Sequence, residues 1–253
     1  MSCVRVPILV LGLIVLWQLL VIITGVPPYI LPAPPAVAQA LVLHWSILQG
    51  HLLTTLAEIL AGLALGTVLG CCCSLTMILL PMVRRWLLPI LVISQAIPVF
   101  ALAPILVLWF GYGMASKVAM AVLIIFFPVT SSFYYGMRRT RPDLLELARI
   151  MGGRRLSVLR WIVIPAAFPA LGSGFRVATA VAPIGAVVGE WVGSSSGLGY
   201  YMLHANARMQ VDVMFAALVV LAVVSLGLYF AVDALVTRLI FWEKKEDNDE
   251  YIT

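Results

Sequence analysis

Charge is what this sequence has least of. Only 11% of its 253 residues are Asp, Glu, Lys or Arg, against about 25% in soluble domains. So few charges cannot cover a water-exposed surface of this size, which excludes a soluble globular class. Cysteine is scarce and poorly placed. Cys71, Cys72 and Cys73 are consecutive and point in different directions from one helix, and Cys3 stands alone. They make neither a disulfide framework nor a metal site and are read as small apolar fillers. Strand-like alternation is missing, which excludes a barrel. The phosphate loop G-x-x-x-x-G-K-[ST] does not occur, so the chain has no nucleotide motor of that kind. With no nucleophile–base pair and no ligand constellation, no catalytic residue, metal or cofactor is expected in this chain.

Hydrophobic residues make up 63% of the sequence. They are gathered in runs long enough to cross a bilayer of about 30 Å as helices, in which the backbone satisfies itself. Six spans are expected, at approximately 7–26, 52–80, 87–110, 118–136, 165–191 and 213–236. The first lacks a small-residue cleavage site and is read as a retained anchor. The expectation is an all-α, polytopic membrane protein with one transmembrane domain over 1–253, ending in a charged tail at about 243–253 to which no function is assigned.

Cations set the orientation. With the N-terminus inside, inner segments hold Arg5, Arg84, Arg85, Arg138, Arg139, Arg141, Arg149, Arg154, Arg155, Arg160, Arg238, Lys244 and Lys245. Outer segments hold only Lys117 and Arg208. The net charge of +5 is therefore a topology signal and not a mark of nucleic-acid binding. Trp86, Trp161 and Trp242 near inner ends, with Trp109 and Trp191 near outer ends, agree with it.

Polar residues inside or beside the spans are the candidates for a solute path, because charge in a membrane is costly and faces a cavity or a partner. These are Glu58, Gln95, Arg176, Glu190, Trp191, Tyr200, Tyr201 and His204. Arg176 and Glu190 lie 14 residues apart; a straight helix separates them by roughly 21 Å and forbids their pairing. Pro98, Pro104, Pro128 and Pro183 are expected to interrupt spans three to five. From Ala36 a short outer helix is expected, anchored by Trp45. His44 and His51 are read as ordinary interfacial histidines. The serines and glycines of 193–199 break the fifth helix, and the polar stretch to Gln210 reads as an outer or re-entrant helix, or a plain loop.

The segment 138–165 stands out between apolar runs. Thr140-Arg141-Pro142-Asp143 reads as a helix start, with a cap, an early proline and an acid in the first turn. Asp143, Glu146 and Arg149 form a polar stripe against an apolar face that includes Leu144, Leu147 and Met151. Gly152-Gly153 stops this helix, and a second amphipathic piece runs from Arg154 to Pro165. On the residues alone, the helix either docks on a partner or lies on its own bilayer.

Glu146, Ala148, Gly152, Ile162 and Pro165 have the spacing of the EAA loop, and the chain resembles the permease subunits of bacterial ABC importers. It departs from that pattern only by apolar exchanges at Leu147 and Ile164. "LPAPPAVAQAL", "QAIPVFALAPILVLWFGYG" and "GEWVGSSSGLGYYM" resemble the taurine, nitrate and sulfonate-type branch. Together, "EWVGSSSGLGYYMLHANARMQ" and Glu58 in "TTLAEILAGLALG" look most like permeases for pyrimidine precursors of thiamine. The resemblance implies a type I importer core of six helices in a bacterial inner membrane, with both termini cytoplasmic. It implies a coupling helix made by Asp143, Leu144, Glu146, Leu147, Ala148, Arg149, Met151 and Gly152. It further implies a second permease subunit, expected to be an identical copy, two cytoplasmic ATPases that carry ATP and Mg2+, and an external substrate-binding protein. An ion-coupled secondary transporter, with Glu190 or Glu58 as the proton carrier, and a membrane enzyme or scaffold are the competing classes.

Overall fold

Glycine decides how the helices meet. In lipid, apolar side chains gain little by leaving their surroundings, so helices associate through close packing of small residues. The computed structural model describes residues 5–242, with side chains from residue 8. Its helices are α1 (Arg5–Thr24), α2 (Pro34–Leu43), α3 (Trp45–Leu79), α4 (Pro81–Ser94), α5 (Val99–Phe110), α6 (Met114–Arg138), α7 (Pro142–Ile150), α8 (Arg155–Val158), α9 (Ile164–Gly193), α10 (Leu198–Ala207) and α11 (Val211–Leu239). The tail at 243–253 lies outside the described residues.

The centre is the trio α3, α6 and α9. Gly62, Gly66 and Gly70 form one stripe of α3. A Cβ built on Gly62 would lie 2.5 Å from the Ala121 Cβ, and one on Gly66 would lie 2.7 Å from the Ile125 Cγ2. On the other side of α6, a Cβ on Gly136 would meet Ala170 at 2.6 Å and one on Gly185 would meet Ala121 at 2.7 Å. Ile59, Leu63, Ile125, Val129, Ala178 and Ala182 fill the space between these contacts. A second cluster packs α2, α10 and α11 through Val37, Ala40, Leu198, Ala205, Val213 and Ala217. Leu65, Val68, Leu108, Val223 and Leu226 point outward, as lipid-facing residues do.

Among the described residues, four helical stretches are long and apolar enough to cross a membrane: α3, α6, α11 and the continuous run Arg155–Gly193. The expected third span is not one rod. It is the pair α4 and α5, bent by 106°. Pro98 has no N–H to donate, and it pushes Ile97 before it out of helical geometry. Pro104, Pro128 and Pro183 remain inside their helices. The 20 residues of α1 make a rod of about 30 Å, one hydrocarbon thickness.

Two further boundaries differ from the sequence expectation. The Thr140 hydroxyl does not cap α7; it donates to the Met137 carbonyl at 2.9 Å and closes α6. Pro165 does not end the piece that starts at Arg154. A π-helical turn at Leu159–Val163 widens the ladder just ahead of it, and the helix continues into α9. A wider turn accommodates a ring that would otherwise press on the carbonyl four residues back.

Candidate functional site

The expected coupling segment is α7, which connects α6 to the run that becomes α9. Pro142 begins it, where a missing N–H costs nothing. The Arg141 guanidinium donates to both Asp143 oxygens, at 3.2 and 2.5 Å. That contact holds the Asp143 carboxyl below its usual range. At the other end Gly152 takes a left-handed φ of +73°. The Gly153 N–H then returns to the Ala148 carbonyl at 2.8 Å, which closes the helix. Ala148 is buried beneath this turn, while Leu144, Leu147, Ile150 and Met151 are exposed, as are Glu146 and Arg149. Nearby, Arg155 donates to the Leu79 carbonyl at 3.2 Å, placing a cation at the C-terminus of α3.

A second site is built around the start of α10. Four consecutive amides there have no helical partner. Each finds a side chain from a neighbouring span. Gly197 N–H donates to His51 Nδ1 at 3.0 Å and Leu198 N–H to Thr55 Oγ1 at 2.8 Å. Gly199 and Tyr200 N–H both donate to Glu190 Oε2, at 2.5 and 3.4 Å. Thr55 in turn donates to Glu190 Oε1 at 2.6 Å. His51 and Thr55 sit one turn apart on α3, and Glu190 is near the end of α9, so the three caps tie α10 to both spans. A carboxylate at this end also meets the positive pole of the helix. Gly197, with φ of +110°, is what lets the chain turn into this clamp.

One turn further along α3, Glu58 is fully buried and pairs with Lys117 Nζ at 3.3 Å. Lys117, expected in an outer segment, is itself buried on the first turns of α6. A cavity of about 480 Å³ opens beside this pair, bordered by Tyr112, Ser195 and Ser196. Another, of about 350 Å³, has Glu190, Trp191, Tyr112, Tyr200 and His204 in its wall. A third, of about 290 Å³, lies on another side of α10 against Tyr200, Tyr201 and His204.

The structure therefore gathers Glu58, Glu190, Trp191, Tyr200, Tyr201 and His204 at one end. It places the other two candidates elsewhere. Gln95 is exposed at the elbow between α4 and α5, 3.5 Å from the Ser94 hydroxyl. Arg176 donates to Asp233 at 2.6 Å and to Thr237 at 3.1 Å, which fastens α9 to α11. Sequence reasoning did not find Thr55, Gly197, or the role of Lys117. Glu58 and Lys117 were legible as opposite charges at the same expected membrane depth, a pairing signal; Thr55 carried none.

The family model described as binding-protein-dependent transport system inner membrane component matches residues 59–241. A probable ABC transporter permease protein of Haemophilus influenzae is 54% identical over 93% of this chain and 96% of its own. The formylaminopyrimidine transport permease protein ThiX of Halalkalibacterium halodurans is 40% identical over 93% of this chain and 94% of its own. Among solved structures, an inward-facing form of the MetNI methionine ABC transporter superposes with a TM-score of 0.66 at 21% identity, over 78% of this chain and 96% of that one. At that identity the superposition establishes the fold.

Proposed function

The chain belongs to the family of inner membrane components of binding-protein-dependent transport systems and is a permease subunit of an ABC importer, and on that premise we propose that its solute is a thiamine pyrimidine precursor, a flat hydroxymethylpyrimidine-like molecule. The chain is a transport subunit and not an enzyme; hydrolysis belongs to a separate ATPase. One observation carries the substrate reading. The outer cavity has a buried carboxylate, Glu190, in a wall otherwise rich in Trp191, Tyr112 and Tyr200. Aromatic faces suit a flat ring, and a carboxylate accepts from an exocyclic amino group. A small anion would find no Lys or Arg in that wall to pair with. The 40% identity to a formylaminopyrimidine transport permease supports the same class.

In this reading Glu58, Gln95, Glu190, Trp191, Tyr200, Tyr201 and His204 border the path or its gates, and Arg176 braces α9 against α11. Asp143, Leu144, Glu146, Leu147, Ala148, Arg149, Met151 and Gly152 couple to the motor. Two cytoplasmic ATPases grip α7, and their closure on ATP and Mg2+ moves it. A second, identical permease subunit completes the path, and an external binding protein delivers the solute. Both termini are cytoplasmic. The exposed apolar residues Leu147, Ile150 and Met151 support docking, because such a face on so short a helix fits a groove.

Radiolabelled uptake by the complete complex in proteoliposomes tests the substrate. A labelled hydroxymethylpyrimidine is expected to accumulate with ATP; uptake of a sulfonate without the pyrimidine overturns the choice. Gly152→Pro and Glu146→Lys test the lever. Both are expected to lower uptake and solute-stimulated ATP hydrolysis while membrane insertion stays normal, and wild-type coupling in both refutes the docking role.

A further inference from the structure

The chain has three histidines, and all three border the same cavity of about 290 Å³ at the outer end of α10. His44 comes from the junction of α2 and α3, His51 from α3 and His204 from α10. Tyr201, Arg208 and Gln210 complete the polar part of the wall, and no carboxylate lines it. The hydrogen bonds fix much of its polarity. Gly197 N–H donates to His51 Nδ1, so that nitrogen bears a lone pair and the proton of neutral His51 sits on Nε2. His51 thus has a donor left over. His44 Nδ1 is buried with no partner. Among the described residues Arg208 makes no ion pair.

The backbone is bent to form this wall. Met209 is in the left-handed region, with φ of 59°, and is the one non-glycine residue there among those described. Its turn returns Gln210 N–H to the Ala205 carbonyl at 2.9 Å and brings Gln210 beside Arg208 and His204. Glycine would adopt that turn without strain, and strain of this sort gathers at functional sites.

We infer that this cavity binds a carboxylate, held by Arg208 and Gln210 with His44, His51 and His204 around it. The wall holds an arginine without an ion pair among the described residues, a glutamine amide and three imidazoles, and no acid, which is the complement of an oxyanion. The carboxylate comes either from a free ion or from an acidic side chain of the external binding protein. The cavity is distinct in polarity from the one walled by Glu190, although Tyr200 and His204 border both.

Selective 15N-histidine labelling of the full-length permease in lipid nanodiscs tests this, since three imidazoles give a spectrum that can be read residue by residue. In one arm acetate is titrated in. The His44 and His204 resonances are expected to shift saturably, and Arg208→Gln is expected to raise the apparent Kd about tenfold. In a second arm the binding protein is added to acetate-free buffer. Shifts at the same imidazoles, lost in Arg208→Gln, identify a side-chain carboxylate as the source; saturable shifts with acetate alone identify a free ion. Imidazoles that ignore both probes, respond without saturation, or respond equally in Arg208→Gln overturn the inference. Arg208 is exposed, so its replacement leaves the core intact, and His204→Gln provides a second variant with the same expected weakening. The readout is independent of which solute is transported.

Discussion

Gly197→Ala is the sharpest test of the clamp on α10. A Cβ at this position would lie 2.2 Å from both Cδ and Oε1 of Glu190. Glu190 is only 1% exposed, and moving its carboxylate away breaks the bonds that hold α10. The backbone is unfavourable as well, because φ is +110°. A left-handed backbone costs an L-residue about 1–2 kcal/mol. The carboxylate must also give up its bonds from Thr55 and Gly199, each worth about 1.5–3 kcal/mol to a charged group. Taking the low end throughout, the docked state of α10 loses about 4 kcal/mol. That is a factor of about a thousand in the opening equilibrium.

Hydrogen exchange of the permease in nanodiscs reads this directly. Amides of Leu198–Ala207 are expected to lose about three orders of magnitude in protection, while those in the middle of α6 stay as they were. Gly227→Ala is the control, since a Cβ there meets nothing within 4 Å. It should add about 0.5–1 kcal/mol to its helix and leave α10 untouched. Wild-type exchange across α10 in Gly197→Ala would refute the clamp, because no steric route leaves both that Cβ and the Glu190 bonds in place.

Three other outcomes follow from the packing and the ion pairs. Gly62→Ala should destabilise the protein by about 1–3 kcal/mol, and adding Ala121→Gly, which removes the atom 2.5 Å away, should make the double variant more stable than the sum of the singles in thermal unfolding. Arg176 and Asp233 are partly exposed, so a double-mutant cycle with Ala at each should give a coupling near 0.5–1 kcal/mol, and a value near zero would remove their role as a brace. Asp143 has a folded pKa below its usual 3.8; its contact with Arg141 is therefore complete above about pH 4 and is lost as pH falls through the lowered value. Carbon-13 titration of the Asp143 carboxyl should show that low midpoint, and Arg141→Gln should raise it.

The spans and the lever were legible because they are written in local pattern. Runs of apolar residues mark spans, Gly152-Gly153 marks a helix end, and Pro142 with Asp143 marks a start. Pro98 was visible as an interruption, but its 106° consequence was not. Pro104 and Pro183 carry the same local signal and leave their helices continuous, since neighbouring helices hold them in line. The outer clamp was legible only in its charges. Glu190 and Glu58 drew notice as acids in apolar surroundings. Thr55 did not, because its partners lie 135 and 143 residues away and its type is common in spans. The glycine stripes of α3 and α9 were unread for a similar reason: a glycine reveals its purpose only when the neighbour that fills its missing side chain is known.

The same contacts decide how motion passes through the chain. The lever α7 joins α6 and α9, which pack along their length with Gly136 against Ala167 and Ala170, Gly174 against Ser132, and Gly185 against Ala121. Interfaces this close do not slide, because each glycine gap accepts one partner and rejects the next. On the proposed reading, a displacement of α7 moves α3, α6 and α9 together. The caps from His51, Thr55 and Glu190 tie α10 to α3 and α9, so on that reading its aromatic wall follows α7 without a separate signal. The bent pair α4 and α5 also packs on the trio, through Leu91, Ala103 and Leu106, but its elbow at Gln95 is exposed and bridged by no tertiary side-chain bond among the described residues. We propose that relative movement between this pair and the trio opens and closes the path. A disulfide engineered across α5 and α6 should arrest uptake while ATP hydrolysis continues, whereas one across α3 and α6 should leave both unchanged.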